Sequence, residues 1–124
     1  AAATLAKLAQ AELAASTNAP GAGAAFESAL VAADQNRIPI DLLLVAQGYT
    51  AWLTTHLDPV RAGVLAERLG AWADHDYDAA LLQLKLYHAL GQNAAWRSAL
   101  DRCRRTAGER VIPEALTRAP SDRP

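Results

Sequence analysis

Apolar residues recur along this chain at helical spacing, and polar breaks separate the runs. The first run predicts a helix over residues 2–15, with Leu5, Leu8, Ala9 and Leu13 on one face. Asn18, Pro20 and Gly21 then break it, because these residues favour turns. A second helix is expected over 23–36, where Phe26, Ala29, Leu30 and Ala33 form an i, i+3, i+4, i+7 stripe. Pro39 opens a third over 39–55, at a first-turn position where its missing N–H costs nothing. That helix is apolar nearly all round, from Ile40 through Leu44 and Tyr49 to Leu53, and should lie between neighbours.

The second half repeats this style of punctuation. Asp58-Pro59 is a helix-start signal, with Asp58 as N-cap and Pro59 at N1. The helix it opens offers Val60, Val64, Leu65, Leu69 and Trp72 as an apolar face. Asp74, Asp76 and Asp78 lie in the next connection, ahead of a fifth helix over 77–90 that Gly91 ends as a C′ glycine. Asn93 is expected to cap a sixth, lined by Trp96, Leu100, Cys103 and Ala107 and closed by Gly108. From Ala115 the chain reads as a frayed tail. The expectation is a repeat domain over 1–114 and a flexible segment over 115–124.

The chain also echoes itself. Residues 24–30 read Ala-Ala-Phe-Glu-Ser-Ala-Leu and residues 94–100 read Ala-Ala-Trp-Arg-Ser-Ala-Leu. Each copy is followed by a polar stretch ending in Ile-Pro, at Ile38-Pro39 and Ile112-Pro113. Set in register, Phe26, Val60 and Trp96 take one slot on the second, fourth and sixth helices, and Tyr49 and Tyr87 take one slot on the third and fifth. A unit of about 34 residues made of two antiparallel helices resembles the tetratricopeptide repeat. Tyr87 followed by Gly91 matches that family's Tyr-x-x-x-Gly, and the Leu-rich start of the fifth helix fits its first-helix packing face. Where the family has glycine three residues before the tyrosine, this chain has Leu84 and, one unit earlier, Ala46. Its small early alanine of the second helix is replaced by Phe26 or Trp96.

The resemblance implies an all-α, right-handed array of three helix hairpins whose first helices line a concave face. The positions that match the family's groove are Gln47, Thr50, Lys85 and His88. The basic clamp that some members close on a peptide carboxylate is not evident, so that specificity is not carried over.

Composition supports the helical reading: 52% of the 124 residues are hydrophobic, only 6% are aromatic, and alanine, the best helix former, dominates. Net charge is −1 but unevenly spread. Residues 1–92 carry five basic and nine acidic side chains, whereas 93–118 carry six arginines against Asp101, Glu109 and Glu114. A dipolar chain of this kind argues against nucleic acid as the main partner. Arg97, Arg104 and Arg105 fall near one another on the sixth helix, as a solvated basic face or as a dock for an acidic partner. No apolar run reaches the roughly 18 residues of a membrane span. Methionine is absent, which suggests a processed chain or a segment of a longer protein. The lone Cys103 fits a reducing compartment, cytoplasmic before periplasmic.

Candidate chemistry is thin. The Asp74, Asp76, Asp78 triplet has calcium-like spacing, but an EF-hand loop needs glycine and glutamate where this chain has Ala79 and Lys85. Helix capping explains the acids more simply. His56, His75 and His88 lie in different elements, Cys103 sits on an apolar stripe, and Ser28 and Ser98 lack a nucleophile-elbow setting. No metal, cofactor or catalytic set is expected. The function this implies is a non-enzymatic module of a bacterial protein that binds a peptide or partner helix, with a homo-oligomer left open. A regulatory segment of a signalling or transcriptional protein is the alternative, and a metal-binding or enzymatic helical domain comes after it.

Overall fold

The computed structural model describes residues 2–36, 39–56 and 58–120, with the side chains of 2, 3, 34–36 and 39 outside that description. Ile38, half of the first Ile-Pro pair, lies outside it, as do residues 121–124. The described chain is all-α, without strands. Its helices are α1 (Ala2–Ser16), α2 (Ala22–Asn36), α3 (Pro39–Thr55), α4 (Pro59–Ala73), α5 (Tyr77–Leu90), α6 (Asn93–Thr106) and the single turn α7 (Glu114–Thr117). None of the helices is long and apolar enough to cross a membrane. The chain divides into two compact units, Ala1–Trp52 and Leu53–Pro124.

The boundaries follow the punctuation closely. Asp58 caps α4 by accepting the Arg61 N–H at 3.2 Å, with Pro59 in the first turn. Gly91, at φ 71°, ends α5 in the left-handed region. The Gln92 N–H reaches the Tyr87 carbonyl and the Gly91 N–H reaches that of His88, the paired bonds of a Schellman cap. The same pair closes α1 with Asn18 at φ 55°, a conformation asparagine tolerates better than other L-residues. One expected cap differs. Asn93 is the first residue of α6, and the cap position is Gln92, which makes no side-chain capping bond.

In the first unit, α1 and α2 pack side by side, and α3 meets α2 through aromatic side chains. The Phe26 ring stacks on Tyr49 at 5.1 Å and 9°, Trp52 lies tilted against both rings, and the Tyr49 hydroxyl donates to Glu27 at 2.8 Å. Gly48 on α3 faces side chains of both α1 and α2. A Cβ there would meet Leu8 and Phe26, each at 3.3 Å, and the end of Glu12 at 3.1 Å.

The face that α1 buries is Thr4, Leu8 and Ala11, so of the expected Leu5, Leu8, Ala9 and Leu13 only Leu8 is buried and the face is corrected around the helix. Leu5 and Leu13 are 51% and 66% exposed.

In the second unit, α5 lies between α4 and α6 and also touches α7. Packed from several sides, it buries residues around most of its circumference, including Ala79, Ala80, Leu82, Gln83, Leu84 and Leu86. The face α4 turns inward is Ala62, Leu65, Ala66, Leu69 and Ala73, while Val60 and Val64 stay exposed at 75% and 52%. The shared slot on the second helices therefore corrects from Val60 to Ala62.

In that register Phe26-Ala29-Leu30-Ala33, Ala62-Leu65-Ala66-Leu69 and Trp96-Ala99-Leu100-Cys103 are all buried. Large and small residues alternate, and α4 has them in the opposite order to α2 and α6. On the first helices the expected pairing of Tyr49 with Tyr87 also aligns burial, since Leu42/Ala80, Ala46/Leu84 and Thr50/His88 are buried pair by pair.

Two glycines test these contacts. Gly63, inside α4, has open space where a Cβ would go, so Gly63→Ala should raise stability by about 0.5–1 kcal/mol through helix propensity alone. Gly48→Ala gains the same propensity, but its Cβ presses on the buried Leu8 and Phe26, and a net loss of roughly 1 kcal/mol or more is expected. Urea unfolding of the two variants should give shifts of opposite sign.

Candidate functional site

The four groove candidates meet different surroundings. Gln47 is exposed on α3, whereas Thr50, three residues on, is buried, with no hydrogen-bond partner for its hydroxyl among the described residues. Lys85 is half-buried on α5. His88 is buried, and its Nε2 lies 3.1 Å from the Arg118 carbonyl oxygen. A carbonyl only accepts, so that nitrogen carries the proton and donates. Of the four, Gln47 and Lys85 remain accessible to a partner.

His88 is closed off by the segment expected to fray. Residues 114–117 form α7, Leu116 and Ala119 pack on the core around Trp96 and Leu84, and Pro120 is buried. The Trp96 indole N–H donates to the Leu116 carbonyl at 2.8 Å. The described chain from Ala115 to Pro120 is thus docked, because its carbonyls and apolar side chains find partners on α5 and α6. Pro113 was the available signal, since Pro39 also stands at the start of a helix.

The arginines separate in two. Arg97, Arg104 and Arg105 are exposed on α6, and the last two sit in its final turn, where positive charge complements the helix dipole. Arg102 turns inward instead. Its Nη1 donates to Gln83 Oε1 at 3.0 Å and its Nε to Asp74 Oδ1 at 3.1 Å. Gln83 in turn donates from Nε2 to the Ala66 carbonyl at 2.9 Å. One buried amide thereby joins the backbone of α4 to a guanidinium on α6. Sequence reading passed over Gln83. The available signal was a polar residue inside the apolar run 79–84, at the position that Val45 occupies in the matching helix.

The acidic triplet is distributed over structural tasks. Asp74 pairs with Arg102, Asp76 caps α5 by accepting the Asp78 N–H at 3.2 Å, and Asp78 stands in the first turn of that helix. Among the described residues, no group of three or more His, Cys, Asp or Glu side chains is placed to hold a metal ion. Ser28 accepts from the Lys7 ammonium at 3.2 Å. Cys103 is fully buried within the core cluster, and desolvation pushes its thiol up to about 11. A thiol so placed is poorly suited to act as a nucleophile. The Tyr77 and Tyr87 hydroxyls also titrate above their ordinary value, chiefly through desolvation. Neither family models, nor curated proteins, nor solved structures give a match to the chain.

Replacing Gln83 by methionine keeps its length but strips both hydrogen bonds, and should cost about 1–3 kcal/mol in urea unfolding. Arg102→Met made on top of it should cost less than it does alone, because the two residues share one bond. For Cys103, thiol-specific modification at pH 8 should run at least roughly 100-fold slower in the folded chain than in urea. The folded thiol holds its proton to higher pH than the unfolded one. Its contribution to stability is therefore complete below pH 9.0 and is lost as pH rises through about 11, which denaturant titrations across that range should register.

Proposed function

We propose that the chain is a non-catalytic protein-interaction module built from helix hairpins of the tetratricopeptide kind, acting by binding rather than by making or breaking bonds. The observation that carries this reading is the repeat of burial along the helices. Second helices bury the slot that starts at Phe26, Ala62 and Trp96, and first helices bury matching positions from Leu42/Ala80 to Thr50/His88. A chain that repeats a packing unit presents repeated outer positions as well, and such positions suit surface recognition. The chemistry-bearing side chains support the same conclusion. Asp76 caps a helix and Asp74 pairs with arginine, the thiol is buried and protonated, and Gln83 and Arg102 hold helices together.

Within this reading the first-helix face of each unit receives a peptide or partner helix, with Gln47 the accessible contact on α3 and Lys85 the accessible contact on α5. The exposed arginines Arg97, Arg104 and Arg105 are a separate surface, suited to an acidic partner.

Site-specific photo-cross-linking from positions next to Gln47 and Lys85 tests the proposal. Cross-linked partners should fall at least roughly fivefold when both residues are changed to alanine, as expected when accessible contacts of an interface are truncated. Circular dichroism should stay unchanged. Undiminished cross-linking by that helical double variant would remove the first-helix faces from the interface.

A further inference from the structure

Beyond α6 the chain folds back over its own core. Gly108, at φ 61°, reverses the direction, and the Arg110 guanidinium lies 5.0 Å over the Tyr77 ring. Ile112, Leu116 and Ala119 then pack against the cluster that contains Tyr77, Leu84 and Trp96. Two carbonyls two residues apart, those of Leu116 and Arg118, accept from Trp96 Nε1 on α6 and His88 Nε2 on α5. At Arg118 the backbone is already extended, with φ −95° and ψ 137°.

This strap differs from the helices around it. α7 is a single turn with no buried residue of its own, whereas the His88 and Trp96 beneath the strap are 8% and 6% exposed. The α5–α6 surface holds it through main-chain carbonyls and a few apolar side chains, using donors from two separate helices. That is how a surface binds a peptide: the backbone supplies general affinity and the apolar anchors select the sequence. Ile112, Leu116 and Ala119 follow the spacing i, i+4, i+7, and Pro120 follows the small residue.

We propose that the α5–α6 surface around His88 and Trp96 is a peptide site, and that residues 112–120 occupy it in cis. Its partner is a peptide of the strap's own chemistry: an apolar residue, a second four positions on, and a small residue followed by proline. The strap competes with that partner at the high effective concentration of a tethered ligand. The site therefore opens only to a partner that outcompetes the strap. This deepens the interaction-module reading and rests on it.

The unmodified chain gives the first measurement. Amides of residues 114–119 should exchange with deuterium by local opening, at least about tenfold faster than the central amides of α5 and α6. Exchange of all three segments only through global unfolding would overturn the proposal, leaving the strap as a fixed part of the fold. The second measurement uses the full chain carrying Ile112→Asp and Leu116→Asp, with helicity checked by circular dichroism. The Trp96 indole N–H resonance, assigned through Trp96→Phe, should shift in this variant and return when a synthetic peptide of residues 111–120 is added. The unmodified chain should need at least about tenfold more peptide, and Trp96→Phe in the variant background should weaken binding. A helical variant that ignores the peptide overturns the site. A concentration-dependent dimer of the unmodified chain that Leu116→Asp abolishes would assign the surface to a second copy and overturn the partner named. Each outcome is independent of cross-linking at Gln47 and Lys85, so the strap site and the module reading can fail separately.

Discussion

The second unit depends on one requirement: the amide of Gln83, buried in the middle of α5, must have both its ends satisfied. Left unpaired, each end would carry the desolvation cost of a polar group removed from water. The Ala66 carbonyl meets the amino end and Arg102 meets the carbonyl end. Apolar contacts alone tolerate sliding of one helix along another, because they have little directionality. A hydrogen bond to a single carbonyl on α4, with a second to a single guanidinium on α6, does not. The register of three helices is thus fixed at one residue, and Asp74 extends the constraint by neutralising the arginine that completes it.

Along the second helices the buried slot alternates in volume. The first position of the slot is Phe26 on α2, Ala62 on α4 and Trp96 on α6, and the following positions reverse in the same way. The echo between residues 24–30 and 94–100 therefore skips the helix between them. The middle copy keeps the spacing of the unit and inverts its sizes.

Helix limits were legible in the sequence because they are set by local chemistry. Pro39, Asp58-Pro59 and Gly91 each act through their own backbone or side chain within one turn. Helix faces were much less legible. In α1 and α4 alanine occupies so much of the circumference that a leucine or valine stripe and an alanine stripe are equally apolar. Leu5, Leu13, Val60 and Val64 proved exposed, while Ala11, Ala62 and Ala66 carry the contacts. His88 was legible as a polar residue needing a partner, but that partner is the carbonyl of Arg118, and a main-chain group has no residue-type signature. The role of Gln83 was hidden likewise, since one of its two partners is again a backbone carbonyl.

The alanines at the helix contacts invert the usual logic of mutational tolerance. Ala11, Ala29, Ala46, Ala62, Ala66, Ala80 and Ala99 have no exposed surface. Cores are commonly probed by truncation, which asks what is lost when a large side chain becomes alanine. At these positions truncation has almost nothing to remove, and every replacement other than glycine adds volume to a fully enclosed site. An alanine scan would pass over them and leave the tightest parts of the molecule looking inert. Sequence drift in such a chain should be limited by crowding more than by cavities, so compensation for one enlarged residue would come from a reduction across the same contact.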